Sequence, residues 1–193
     1  MNKYENPRYR SYVLVVLTLV YAVNFIDRQL LTILQESIKV ELDLSDLQLG
    51  LLTGLAFAIF YVLAGIPIAR LAERSNRRNI IAASIGIWSL MTAISGFVTN
   101  YAQLVLARIG VGIGEAGCSP PAHSMISDMY PPEKRASALS FYSAGINIGI
   151  MFGILFGGII NEYFGWRVAF MVVGLPGICL LYTSPSPRDF EAS

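Results

Sequence analysis

"RIGVGIGEAGCSPP", residues 108–121, sets Gly112, Gly114 and Gly117 in the spacing G-x-G-x-x-G. In a soluble βαβ unit those glycines follow a strand and open a helix beneath a dinucleotide. An acidic residue about 20 positions further on then reads the ribose. Here position 132 is Pro132, and the nearest acids are Asp128 and Glu133. The same stretch holds Arg108 and Glu115 inside a long apolar run. Whether water or hydrocarbon surrounds it decides what the glycines and the charges are for.

The rest of the chain answers for hydrocarbon. Of 193 residues, 54% are hydrophobic and only 14% charged, against about a quarter charged in soluble domains. The apolar residues come in blocks of roughly 20, the length an α-helix needs to cross a bilayer core. Six blocks are predicted as helices: about 12–34, 47–69, 79–98, 102–125, 137–160, and 168 to the end. The fold class is an all-α membrane protein, a six-helix bundle over residues 12–178 behind an N-terminal segment, 1–11. No strand is expected before the glycines of 112–117, so the nucleotide reading fails.

Other function classes fall away on similar grounds. A net charge of +1 gives no nucleic-acid signal. Cys118 and Cys179 make neither a disulfide framework nor a metal site, and no cofactor is implied. The N-terminal run lacks a small-residue cleavage site and is read as an uncleaved first helix. Ser119 and His123 lie one turn apart, but without an acidic orienter they do not make an enzyme site.

The connections alternate in charge. Lys3, Arg8 and Arg10, four arginines in "RLAERSNRR" (70–78), and Lys134 and Arg135 put nine basic residues on one side. Lys39 and Arg167 stand on the other. Basic loops stay inside, which predicts a cytoplasmic N-terminus and a location in the cell membrane. Residues 179–189, "CLLYTSPSPRD", look like translated sequencing-adapter sequence, and 179–193 are read as a non-native tail.

Four ionisable residues fall inside the blocks: Asp27 and Arg28 in the first, Arg108 and Glu115 in the fourth. Such groups at mid-membrane cost at least about 2.5 kcal/mol for Arg or Asp, and so face a bundle interior or a wet cavity. Arg108 and Glu115 are two helical turns apart and share a face, as do Asn24, Asp27 and Arg28. Asp27 and Arg108 come out at similar depth, so a pair between the first and fourth helices is sterically reasonable. Two readings stand side by side: ion pairs that only fix packing, or a proton-titratable site in which a carboxylate changes its arginine partner. Glu115, the deeper acid, is the first candidate as carrier. Tyr21, Asn24 and Asn147 are candidate cavity residues.

In lipid, small residues let helix backbones approach closely. Gly145, Gly149, Gly153 and Gly157 recur every four residues in the fifth helix, and Gly50, Gly54 and Ala58 in the second.

These motifs together resemble the major facilitator superfamily of secondary transporters, most of all its spinster-like branch. "ARLAERSNRR" (69–78) is similar to that superfamily's loop between the second and third helices. Ala69 stands at the first glycine position, Glu73 at the acidic one and Arg74 after it. Asn76, which tolerates a left-handed backbone, is at the second glycine position, and Arg77 and Arg78 close the motif. The resemblance implies a cytoplasmic gate of Glu73, Arg74, Arg77 and Arg78, with Asp128 and Arg135 of "SDMYPPEKR" (127–135) as partners. "RIGVGIG" resembles the fourth-helix pattern, whose arginine is Arg108 here. "NFIDRQLL" (24–31) and "GIGEAG" (112–117) resemble the spinster-like branch, implying that Asp27 and Glu115 serve proton coupling. "GIMFGILFGG" (149–158) resembles an antiporter motif, with Ile154 where that motif has proline.

The resemblance covers one six-helix half of a major facilitator fold. It implies a proton-coupled transporter of a small organic or amphipathic, lipid-like solute, completed by a C-terminal six-helix half. The alternatives are an organic-anion symporter of the same superfamily and a non-transporting scaffold with structural ion pairs.

Overall fold

A computed structural model describes residues 6–183, apart from the side chains of Ala56, Glu73 and 178–183. Residues 184–193, most of the segment read as a tail, lie outside the described residues, as does the carboxylate of Glu73. All regular structure among the described residues is helical.

Helix α1, Pro7–Leu42, starts with proline at a position whose N–H has no helical partner, and Asn6 caps it by accepting the Arg8 N–H at 3.0 Å. It ends where Asp43 turns left-handed (φ 51°, ψ 54°). The second hydrophobic block opens with α2, Asp46–Gly50, under a Ser45–Gln48 capping box. A π-helical segment, Leu51–Ala56, then leads into α3, Phe57–Arg74. Helix α4 is Arg77–Ser95. Asn76 before it is not left-handed: at φ −66°, ψ 107° it is extended, and its carboxamide caps α4 by accepting the Arg78 N–H at 3.1 Å.

The fourth block is two helices, α5 Tyr101–Ala116 and α6 Ser119–Met129, parted at Gly117–Cys118. Pro120 and Pro121 supply the break, since neither has an N–H to give the carbonyl four residues back. The fifth and sixth blocks form α7, Pro132–Thr183, interrupted at Gly165 (φ 82°, ψ 163°), a backbone setting that favours glycine. The first limb of α7 packs along α1. The second returns beside α4, where Gly174 lies against Ser89 and Ala93. Arg167 secures the turn. It pairs with Glu41 at 2.9 Å and donates to the Gly96 and Val98 carbonyls past the end of α4.

Helix α5 packs on α3 and α4, and α7 on α1 and α4. Two apolar clusters result. One joins Val13, Leu17, Ile85, Trp88 and Ile126 toward the end bearing the arginine loop. The other joins Leu30, Leu34, Leu52, Leu104 and Phe170 toward the opposite end. Outside, large apolar side chains such as Leu63, Phe97 and Leu106 are exposed, as a lipid-facing surface requires.

The glycine faces behave differently. A Cβ on Gly149 would sit 2.3 Å from the Ala22 carbonyl oxygen, and one on Gly145 2.7 Å from that of Thr18, so α7 and α1 touch backbone to backbone. Gly50 and Gly54 would meet nothing within 4 Å, so the close packing expected on the second helix is not found there. The π-helical turns break its four-residue register, and no described neighbour lies against those positions. Gly149→Ala is therefore expected to cost about 2 kcal/mol, in the range for overpacking. Gly54→Ala should be neutral or stabilising by up to about 1 kcal/mol through helix propensity. Thermal unfolding of both variants in lipid nanodiscs checks the contrast.

Candidate functional site

Between the two apolar clusters lies a layer of buried polar side chains: Asn24 and Asp27 of α1, Thr92 of α4, and Arg108 and Glu115 of α5, each no more than 2% exposed. Successive residues on a helix point about 100° apart, so Asp27 and Arg28 reach different parts of this layer. Asp27 meets Arg108, with Nη2 to Oδ2 at 3.0 Å and Nη1 to Oδ1 at 3.4 Å, a two-point contact. Thr92 donates its hydroxyl to Asp27 Oδ1 at 2.8 Å. Arg28 meets Glu115, Nε to Oε2 at 2.7 Å. All four intramembrane charges thus join α1 to α5 in two parallel pairs, and the Asp27–Arg108 pair is the one expected from depth.

The pairs differ in surroundings. Asp27 and Arg108 are sealed, at 1% and 2% side-chain exposure. Arg28 keeps 29% exposure while Glu115 keeps none. Three rings surround the Arg28 guanidinium, Phe25, Phe57 and Tyr61, each with its centroid 5.0 Å away. Cation–π attraction of this kind strengthens as water is withdrawn. Glu115 has one oxygen held by Arg28, while Oε1 has no hydrogen-bond partner among the described residues.

Arg28 and Arg108 also line one open cavity of about 250 Å³, with Phe25, Gln29, Thr53 and Phe57. Among the sequence-predicted cavity residues, Tyr21 is half-buried and stacks on Tyr142, with ring centroids 4.4 Å apart. Asn24 is sealed in the polar layer. Asn147 is exposed on α7, two positions from Gly145 and Gly149 and hence turned away from α1. Of the residues expected to form a gate, Arg77 and Asp128 form an ion pair. Arg74 and Arg135 lie on the same end, Arg74 exposed and Arg135 partly so.

Sequence reasoning missed Thr92 and the ring set. Thr92 sits in a stripe with Ser84, Ser89 and Ser95, all buried, and a hydroxyl stripe along an apolar helix was the available signal. Phe57 and Tyr61 had none, because aromatics are ordinary in any membrane helix.

The family model described as Major Facilitator Superfamily matches residues 17–191. A crystal structure of a bacterial homologue of the human lysosomal transporter Spinster, inward-facing and unoccupied, is 42% identical with a TM-score of 0.87. The match covers 94% of this chain and 44% of that one. An "MFS-type efflux pump" of Mycolicibacterium smegmatis is 36% identical over 91% of this chain and 41% of its own length. A "probable L-galactonate transporter" of Escherichia coli is 32% identical over 90% of this chain and 38% of its own. The chain thus spans about two fifths of the length of the curated relatives it matches. Fold, buried charge layer and relatives agree: the chain belongs to the Major Facilitator Superfamily of membrane transporters, in its spinster-like branch.

Proposed function

We propose that this chain is one half of a proton-coupled secondary transporter of the cell membrane, with its N-terminus in the cytoplasm. In this reading a second six-helix half, supplied by the length that the relatives have beyond the match, closes the cavity. The solute is a small organic or amphipathic, lipid-like molecule. The two halves rock about a midplane site so that it opens to one side at a time. The observation that carries the reading is the unequal pair of ion pairs between α1 and α5. A sealed pair holds the two helices together, while the Arg28–Glu115 pair opens on one side to the cavity.

The coupling step follows from charge balance. A proton taken up by Glu115 neutralises the carboxylate that Arg28 faces, and the freed guanidinium can turn to a solute in the cavity or to water. Loss of the proton restores the pair. The Arg77–Asp128 pair and the neighbouring Glu73, Arg74, Arg78 and Arg135 serve as the cytoplasmic latch, broken and remade as the halves move.

A second reading is favoured by the cavity itself. Arg28 lines it with a partly exposed guanidinium, and Arg108, held by Asp27, only borders it; that suits an organic anion, and several relatives are named as sugar-acid transporters. Here Arg28 would exchange Glu115 for a carboxylate of the solute, with the proton entering alongside.

Proteoliposomes of the two-half transporter test both readings. Glu115→Gln is expected to abolish accumulation driven by a proton gradient while leaving counterflow exchange of the same solute. Offering D-galactonate and a single-chain amphiphile separates the solute classes. Proton-driven accumulation surviving in both Glu115→Gln and Asp27→Asn would falsify the coupling mechanism. The sealed pair has its own signature in stability. Asp27→Leu and Arg108→Leu should each cost about 3–5 kcal/mol by stranding a buried charge, and the double variant should cost less than the sum of the two, by about 1–3 kcal/mol. Unfolding of the four proteins under one condition gives that coupling directly.

A further inference from the structure

Glu115 stands at the end of α5, and Ser119 and His123 lie one turn apart at the start of α6. This run of an acid, a hydroxyl and an imidazole crosses the break in the fourth span. It leads from the sealed polar layer toward the end where Arg77 meets Asp128. Two phenols flank it. Tyr21 of α1 and Tyr142 of α7 stack with planes 10° apart, and Ser119 lies close to both phenols. His123, exposed on α6, stands edge-on to Tyr142 with ring centroids 5.3 Å apart. Tyr142 itself is 1% exposed. At the inner end, Oε1 of Glu115 has no partner among the described residues, although the carboxylate is fully buried.

Packing alone would explain the stacked rings, and phenylalanine would pack as well. It does not explain why hydroxyls converge on Ser119, nor why the run starts at an unpaired carboxylate oxygen and ends at an exposed imidazole. We propose that Ser119, Tyr21, Tyr142 and His123 form a proton path between Glu115 and the basic end of the bundle. This rests on the reading of Glu115 as the proton carrier and adds the route by which it is loaded and emptied.

The transfer balances without any further reactant. The proton on Glu115 Oε1 passes to the first hydroxyl oxygen through one water, a reach within which acid–base groups exchange protons. That hydroxyl gives its own proton to the next, and the last proton lands on the free nitrogen of His123 and leaves to water. Rotation of the hydroxyls resets the chain. The charged and titratable groups facing Glu115 are Arg28 and Asp27 from α1 and Arg108 and Cys118 from its own span. Tyr21 stands on the side toward Ser119. Beyond Glu115 itself, the path residues Ser119, Tyr21, Tyr142 and His123 take no part in the two ion pairs, so the path can be cut while the pairs stay whole.

The test needs no solute. The full chain in lipid nanodiscs is subjected to a pH jump, and the carbonyl-stretch infrared band of protonated Glu115, identified by its loss in Glu115→Gln, is followed in time. Tyr142→Phe keeps the ring and Ser119→Ala is small. Each is expected to slow protonation by about tenfold or more, as loss of a positioned proton-transfer group does, with the band's final amplitude and midpoint unchanged. His123→Ala is expected to slow it similarly, and imidazole added to the buffer to restore it. Rates equal to those of the unsubstituted chain in all three variants overturn the path. So does slowing accompanied by a shifted midpoint, which marks a packing role. A band absent at every pH overturns the carrier reading of Glu115 and the path with it, a result distinct from an unaltered rate.

Discussion

A charge inside hydrocarbon must find its partner within the protein, and here four of them do so between the same two spans. Asp27 and Arg108 bind at two points, and Arg28 and Glu115 at one. A buried pair adds little net stability, because desolvation offsets the attraction, but removing one member strands the other at a cost of about 3–5 kcal/mol. The pairs therefore act less as adhesive than as a rule about register. Helix α1 and helix α5 must keep these residues opposite one another. The apolar clusters above and below the layer can form only in arrangements that obey the rule. Thr92, reaching Asp27 from α4, extends it to a third span.

The backbone contacts serve the same end by a different route. On α7 the glycines at 145 and 149 bring the α1 carbonyls of Thr18 and Ala22 against bare Cα atoms. These are within three turns of Asp27, so this backbone-to-backbone contact braces the helix that carries two of the four charges. At the far end of α1, Arg167 ties Glu41 to the carbonyls beyond α4. Helix α1 is thus held along its length.

The hydropathy pattern made most of this legible, because apolar blocks of membrane length leave few ways to misplace a span. The charges were legible for the same reason: against an apolar background Asp27, Arg28, Arg108 and Glu115 stand out, and helical spacing says which share a face. Spacing has no information about neighbours, however. The four-residue glycine step reads alike on the second and fifth blocks, yet only the fifth finds a backbone to touch. The π-helical segment Leu51–Ala56 was not legible, since a π turn leaves no residue signature in "LLTGLA". The ring set around Arg28 depends on that segment, which sets the angle at which Phe57 and Tyr61 leave the second span. A continuous apolar block also concealed the break in the fourth, although Pro120 and Pro121 announced it.

That break bears on how a site of buried charges can change state at all. Helix α5 ends at Ala116, one residue past Glu115, and the carbonyls of Ala116 and Gly117 face prolines that offer no N–H. Gly117 fits there because a Cβ would lie 2.0 Å from the Ser84 hydroxyl, so the bend is pressed against α4. A continuous helix would transmit any shift of Glu115 rigidly along the whole span. A helix already broken beside it lets the α5 part shift with the carboxylate while α6 stays tied through Asp128 to Arg77 of α4. The same two prolines that end the hydrogen-bond ladder thus separate the charge layer from the Arg77–Asp128 pair mechanically. They leave the two joined through side chains, among them the stacked phenols of Tyr21 and Tyr142, rather than through one stiff rod.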